Sequence, residues 1–199
     1  LNQKAVARKY ARSVDRPYKE LSLIVAHMGG GISVGAHRKG LIVDVNDALD
    51  GDGPFTPERS GTLPAGDLAR LCFSGKYPHD EIRKMLTGKG GLTAYLGTND
   101  VREVEKRIAE GDDHARLVMD AMIYQISKEI GAMSTVLEGD VDAIILTGGM
   151  AHSARITEAI GRRVGKIAPL SVYPGEDEME ALALNGLYVL RGEIRAKEY

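Results

Sequence analysis

The chain has 199 residues, 43% of them hydrophobic, with 26 basic and 28 acidic side chains and a formal net charge of −2. A chain of this length can bury roughly 70% of its unfolded surface, and its near-neutral balance excludes the basic bias of a nucleic-acid binder. The single cysteine, Cys72, excludes an internal disulfide framework and fits a reducing cytoplasm. No apolar run reaches the roughly 18 residues that span a membrane, and no signal peptide opens the chain.

Residues 1–19 predict a helix, because Ala5, Val6, Tyr10, Ala11 and Val14 recur at helical spacing. No N-cap precedes it and the chain opens on Leu1, so it reads as a piece of something longer. Three strands follow at 23–26, 32–36 and 41–45, with Gly29, Gly30 and Gly31 between the first two and a basic turn at 37–40. Adjacent glycines let a backbone turn sharply and present several N–H groups on one surface, which suits phosphate. A plain glycine-rich hairpin turn would look the same on this stretch alone.

Two common phosphate loops are excluded. Val34 stands where a dinucleotide fingerprint needs its third glycine, and the β-branched alternation after Gly31 predicts a strand instead of a helix. Neither Gly75-Lys76-Tyr77 nor Gly88-Lys89-Gly90 completes a Walker loop.

Residues 47–66, DALDGDGPFTPERSGTLPAG, form a long loop carrying Arg59, and long loops inside compact domains are usually functional. Short helices are expected at 67–72 and 80–86, then a flexible glycine-rich passage at 88–97. Asn99 or Asp100 caps a helix running to Ala109. The longest helix, 113–137, aligns Val118, Met122, Ile126, Ile130, Met133 and Leu137 as a core stripe. A buried strand at 141–147 ends at Gly148-Gly149, and a helix runs over 152–164. A last strand at 168–173 turns through Pro174-Gly175 into a helix over 178–190. Three antiparallel strands followed by two βα units predict an α/β fold with a mixed sheet.

The second strand–glycine junction, LTGGMAHS, pairs a strand end with a helix start, where free N–H groups and about half a positive charge favour an anion. Glycines there also let a flat base lie against the backbone. Ordinary βα-turn glycines are the alternative.

Five segments, IVAHMGGGISVGAH, DVNDALDGDGPFTPERSGTLP, GKGGLTAYLGTNDVREVE, DAIILTGGMAHS and VYPGEDEMEALALNG, together resemble the acetokinase family across nearly the whole chain. The resemblance implies a ribonuclease-H-like (actin-like ATPase) domain, the second half of a two-domain kinase. Residues 1–20 would be a helix linking to an N-terminal domain, and 21–199 a nucleotide-binding domain with a helical insert at about 64–139. It implies an ATP-dependent carboxylate kinase that makes an acyl phosphate, with ATP/ADP and Mg²⁺ as cofactors and a homo-oligomer formed through this domain. By the same resemblance ATP phosphates would rest on His27, Gly29, Gly30 and Gly31, and adenosine against Gly148, Gly149 and Met150 with Asp100 and Arg102 nearby. Asp100 and Arg102 read equally as a helix cap and a surface pair.

Arg59 matches the family's catalytic arginine, whose planar guanidinium forks onto phosphoryl oxygens. Glu178 is the candidate Mg²⁺ carboxylate. The family's Pro-x-x-Glu-Glu spacing is one residue longer here, which keeps Glu176 as an alternative. Acetate-acting members carry a histidine in a Gly-Thr-Ser-His run where this chain has Leu1, Asn2 and Gln3, the pattern of butyrate-acting members. A butyrate-like acid is therefore the expected substrate, with acetate, propionate and isobutyrate as alternatives.

Overall fold

A continuous apolar run, buried on both sides, builds the central strand, β1 (Ser22–Met28), on which the other layers are assembled. The computed structural model describes residues 2–175 and 178–192. β1 pairs antiparallel with β2 (Ile32–Arg38), and β2 pairs antiparallel with β3 (Leu41–Val45). On its other side β1 runs parallel with β4 (Ala143–Gly148), which runs parallel with β5 (Leu170–Pro174). The spatial order among the described residues is β3-β2-β1-β4-β5, a mixed sheet as the sequence predicts. The helices are α1 (Asn2–Ser13), α2 (Ala65–Cys72), α3 (His79–Leu86), α4 (Gly91–Leu96), α5 (Val101–Ala109), α6 (Asp113–Val136), α7 (Ala154–Val164) and α8 (Glu178–Leu190). None of the described helices is long and apolar enough to cross a membrane.

Successive strand residues face opposite sides of a sheet, and both sides of this one are buried. Ile24, Ala26 and Met28 of β1 share one cluster with Ile144 and Leu146 of β4, and with α6 and α7. The whole predicted stripe of α6, from Val118 to Leu137, is buried there. Leu23, Val25, Ala143 and Ile145 face the other way, onto Val6, Ala7 and Ala11 of α1. Each fully buried aliphatic side chain contributes about 1.5–3 kcal/mol by leaving water.

Two expectations, on the end of the first helix and on residues 88–97, are corrected. The first helix ends at Ser13, not near residue 19, because Asp15 takes a positive φ of 51° and Pro17 leads into a short 3-10 turn. That helix, expected to serve as a link, is also a cover for one face of the sheet. The expected helical insert takes in α6, which packs on the sheet in one cluster with Leu92 of α4 and Val104 of α5, whereas α2 and α3 contribute no residue to that cluster. Finally, 88–97 is no flexible passage: it contains α4 and is hydrogen-bonded to the Arg59 loop, as detailed below.

Beneath α1 lies a buried polar chain. Gln3 reaches into the sheet where Gly35 of β2 has no side chain, and its Oε1 accepts from His37 Nε2 at 3.0 Å. Tyr18 Oη and His37 Nδ1 are 2.8 Å apart, so with Nε2 protonated the tyrosine hydroxyl is the donor. Burial, with Lys4 as a lesser cause, pushes the fully buried His37 down from 6.5 to about 4. The unfolded chain therefore takes up this proton at higher pH than the folded one. Stability from a neutral His37 is complete above pH 6.5 and drains away as pH falls toward 4. A shift of this size corresponds to roughly 3 kcal/mol at most. Urea midpoints measured from pH 7 to 4 should fall more steeply in the wild type than in His37→Gln; parallel curves would show that His37 does not contribute.

Candidate nucleotide cleft and phosphoryl-transfer loop

The two glycine junctions, far apart in sequence, meet because β1 and β4 are parallel neighbours. His27 stands opposite Thr147 in their register, so Gly29–Gly31 and Gly148–Gly149 emerge side by side at the carboxyl ends of both strands. Crevices at such strand ends are the usual ligand positions of α/β sheets. Here a cleft of about 780 Å³ opens, with Gly29 and Gly30 on one wall and Gly149, Met150, His152 and Ser153 on another. The start of α5, with Asn99, Asp100, Arg102 and Glu105, and the loop residues Pro57 and Glu58 complete it.

The hairpin glycines supply room more than unusual torsion. None of the three has a left-handed φ. A Cβ on Gly31 would overlap Nη1 of Arg59, so the guanidinium lies directly over the hairpin backbone. Nη1 also donates a short hydrogen bond to the Ala48 carbonyl.

Arg59 is held by a dense set of backbone bonds. The buried Thr56 is its anchor: Oγ1 donates to the Gly30 carbonyl at 2.6 Å and accepts from the N–H groups of Glu58 (3.1 Å) and Arg59 (2.9 Å). The carbonyl of Glu58 accepts from Gly88 (2.8 Å) and Gly90 (3.0 Å), and Thr56 and Pro57 accept from Leu92 (3.1 Å) and Thr93 (3.0 Å). Gly91, at φ 57°, packs so closely that an added Cβ would overlap the Thr56 carbonyl. The loop carrying the arginine is thus a rigid double layer tied to the hairpin.

Six of the sequence-derived residues share the cleft: Gly29, Gly30, Asp100, Arg102, Gly149 and Met150. Asp100 caps α5, and its carboxylate accepts from Arg102 N (2.9 Å), Nε (3.0 Å) and Nη2 (2.7 Å). Hydrogen bonds from the Arg102 side chain and then its backbone lower Asp100 to about 2. The pair is thus a helix cap and an exposed ion pair that also forms part of the cleft wall.

Four residues lie elsewhere. Gly148 lies off the cleft wall, where its φ of 92° and the nearness of the Met28 backbone allow the close pairing of β1 and β4. Gly31 and Arg59 lie off the cleft wall, together at the hairpin. His27 faces the α1 side of the sheet, where the Asn2 amide donates to its Nδ1 at 3.2 Å. That bond leaves Nε2 to carry the proton of the neutral ring. Glu176 and the side chain of Glu178 lie outside the described residues, among which no group of three or more His, Cys, Asp or Glu is set to hold a metal.

Sequence reasoning missed Thr56, Glu58, Asn99 and Glu105 as site residues. Asn99 carried a local signal as the alternative cap of α5, and Ser153 another as the N-cap of α7 that accepts from Ile156 N at 3.1 Å.

A mixed sheet with helices on both faces and a glycine-lined crevice at its strand ends defines a ribonuclease-H-like domain of the actin-like ATPase kind. Solved structures agree on the fold. An acetate kinase of Porphyromonas gingivalis superposes with a TM-score of 0.88 at 23% identity, over 95% of this chain and 54% of that one. A propionate kinase of Francisella tularensis gives 0.80 at 24% identity, over 89% and 52%. Residues 2–171 match the model of the acetokinase family, and the chain belongs to that family. Among curated relatives, butyrate kinase 2 of Clostridium acetobutylicum is 58% identical over the whole chain, which spans 56% of that protein's length. A probable butyrate kinase of Phocaeicola vulgatus is 55% identical over the same shares. The chain thus spans about half the length of the curated relatives it matches.

Proposed function

We propose that this chain supplies the nucleotide half of an ATP-dependent carboxylate kinase, and that the complete enzyme interconverts butanoate plus ATP with butanoyl phosphate plus ADP. The observation that carries the reading is the cleft, which gathers both glycine junctions and the Asp100–Arg102 pair at one end of the sheet. Its acyl specificity draws support from whole-chain identities of 58% and 56% to two Clostridium acetobutylicum proteins named butyrate kinases.

In this reading a carboxylate oxygen of the acid attacks the γ-phosphorus of ATP. The bond to the bridging oxygen breaks and its electron pair leaves with ADP. Such a transition state spreads charge over three equatorial oxygens, so catalysis is mainly positioning and charge stabilisation. The N–H groups of Gly30 and Gly31 hold the terminal phosphates, Gly29 lines the cleft with its own N–H donated to the Gly31 carbonyl at 2.9 Å, Arg59 forks onto the transferring group, and His27 stands at the strand end beside them. Mg²⁺, when bound with the nucleotide, would neutralise phosphate charge and would take one or two protein carboxylates. Glu178, with Glu176 as the alternative, fits that donor type. The chain returns to the cleft end just before them, where Gly148 and Gly175 exchange N–H···O bonds of 3.1 Å.

A cytoplasmic setting and assembly into a homo-oligomer belong to the same proposal; Leu41, Val43 and Val45, exposed along the edge strand β3, favour self-association. The 199-residue chain alone is expected to bind nucleotide without turnover. Hydroxamate trapping of the acyl phosphate by the full-length enzyme, across straight and branched acids of two to five carbons, tests the reading. The highest kcat/KM is expected with a four-carbon acid. Absence of any acyl hydroxamate would refute the kinase assignment, and a maximum at acetate would refute the acyl preference.

A further inference from the structure

The Arg59 guanidinium is set against a backbone carbonyl, and a carbonyl points where its loop is held. Nη1 donates to Ala48 O, and among the described residues no protein acceptor meets Nη2 or Nε. Those donors remain for a phosphoryl group, in a direction that the Ala48 bond sets. Ala48 lies in the loop 46–53, which is gathered around one buried side chain, Asn46, the residue after β3. Its Oδ1 accepts from Val34 N of β2 at 2.7 Å, and its Nδ2 donates to Ile32 O at 3.1 Å and to Asp52 O at 2.9 Å. One N–H and two carbonyls as partners settle which end of the amide is which. The Asn46 carbonyl accepts from Ala48 N at 3.0 Å. A Cβ on Gly53 would overlap Nδ2, so the loop closes directly onto the amide.

Asn46 therefore joins an arm of the glycine hairpin to the loop that supplies the acceptor for Arg59. Phosphoryl transfer depends on holding phosphate and arginine in register, since its catalysis is mainly positioning and charge stabilisation. We propose, on the catalytic reading of Arg59 given above, that Asn46 is a positioning residue: it ties loop 46–53 to β2 and so fixes the Ala48 carbonyl that aims the guanidinium. The exposed Asp52 braces the same loop from outside, where its carboxylate accepts from Asp47 N at 3.1 Å, Gly53 N at 2.8 Å and Thr62 Oγ1 at 2.9 Å. Neither Asn46 nor Ala48 lines the nucleotide cleft, so the effect falls on transfer and not on nucleotide binding.

The test is steady-state kinetics of the full-length enzyme carrying Asn46→Ala, alone and combined with Arg59→Ala, beside thermal melts of each. With Arg59 present kcat should fall about 10²-fold, the cost of misplacing a reacting group by about 1 Å, while KM for ATP changes by no more than a few-fold. In the Arg59→Ala background the same substitution should change kcat by less than about twofold, because residues that act as a unit are not additive. Asp52→Ala should repeat this pattern at smaller amplitude, and it carries the test if Asn46→Ala does not fold. Losses that multiply in the double variant overturn the assignment, since a general loosening of the domain acts with or without the arginine. An unchanged kcat in the folded single variant overturns it too, as does a rise in KM for ATP that accounts for the whole loss in kcat/KM. A near-normal kcat in Arg59→Ala would refute the catalytic role of the arginine itself, and the Asn46 assignment with it.

Discussion

Arg59→Ala in the full-length enzyme should lower kcat by about 10³- to 10⁵-fold, the range an in-place arginine contributes to phosphoryl transfer, while KM for ATP changes by no more than a few-fold. The split follows from where the side chain lies. Arg59 is off the nucleotide cleft, with its guanidinium over Gly31 and bonded to Ala48 O. In the proposed function nucleotide binding uses the cleft walls, which do not include Arg59, so the arginine would meet the ligand only at the terminal phosphoryl group. An interaction made chiefly in the transition state appears in kcat and not in ground-state binding. Arg59→Lys should recover little, because an ammonium cannot fork onto two oxygens. Gly31→Ala probes the same geometry from beneath: its methyl group would push the guanidinium aside, so turnover should fall with ATP affinity nearly intact. Steady-state kinetics of these variants decide the matter. A near-normal kcat in Arg59→Ala would remove the residue from the mechanism.

What was legible in the sequence follows a physical pattern. The α6 stripe and the apolar run of β1 were readable because each is a local pattern imposed by burial on one element. Asp100 was readable as a cap because its hydrogen bond runs to its own helix, at Arg102 N. Residues 88–97 were misjudged for the opposite reason. Their glycines look like slack, yet they exist so that another loop can approach: Gly90 and Gly91 lie against the backbone of residues 56–60, and neither sequence window shows the other. Glu58 was hidden likewise, since its partner Asn99 is distant in sequence. The face of the sheet to which His27 belongs depends on strand register. The family resemblance could name the residue but could not show that Asn2 would sit behind it.

Gly148→Ala should destabilise the domain by about 2–6 kcal/mol. Its φ of 92° and ψ of 177° lie in a region open essentially to glycine, at a cost of order 1–3 kcal/mol for any other residue. The added Cβ would also overlap the Met28 carbonyl oxygen and stand 2.7 Å from Met28 C and 2.8 Å from its N. These are backbone atoms of the central strand, so relief requires β1 and β4 to part, and overpacking of this kind costs about 1–3 kcal/mol more. For a domain of this size the sum lowers Tm by on the order of 10 °C. Gly149→Ala is the matched control. Its Cβ would meet nothing within 4 Å and its φ is not left-handed, so Tm should hold, yet it lines the cleft and its methyl group should weaken nucleotide binding. Thermal melts and nucleotide titrations of the two variants separate the roles of adjacent glycines, one joining the strands and the other facing the ligand. Equal melting temperatures would mean that the β1–β4 crossing tolerates a side chain, and that the close approach of the two glycine junctions is not what fixes the cleft.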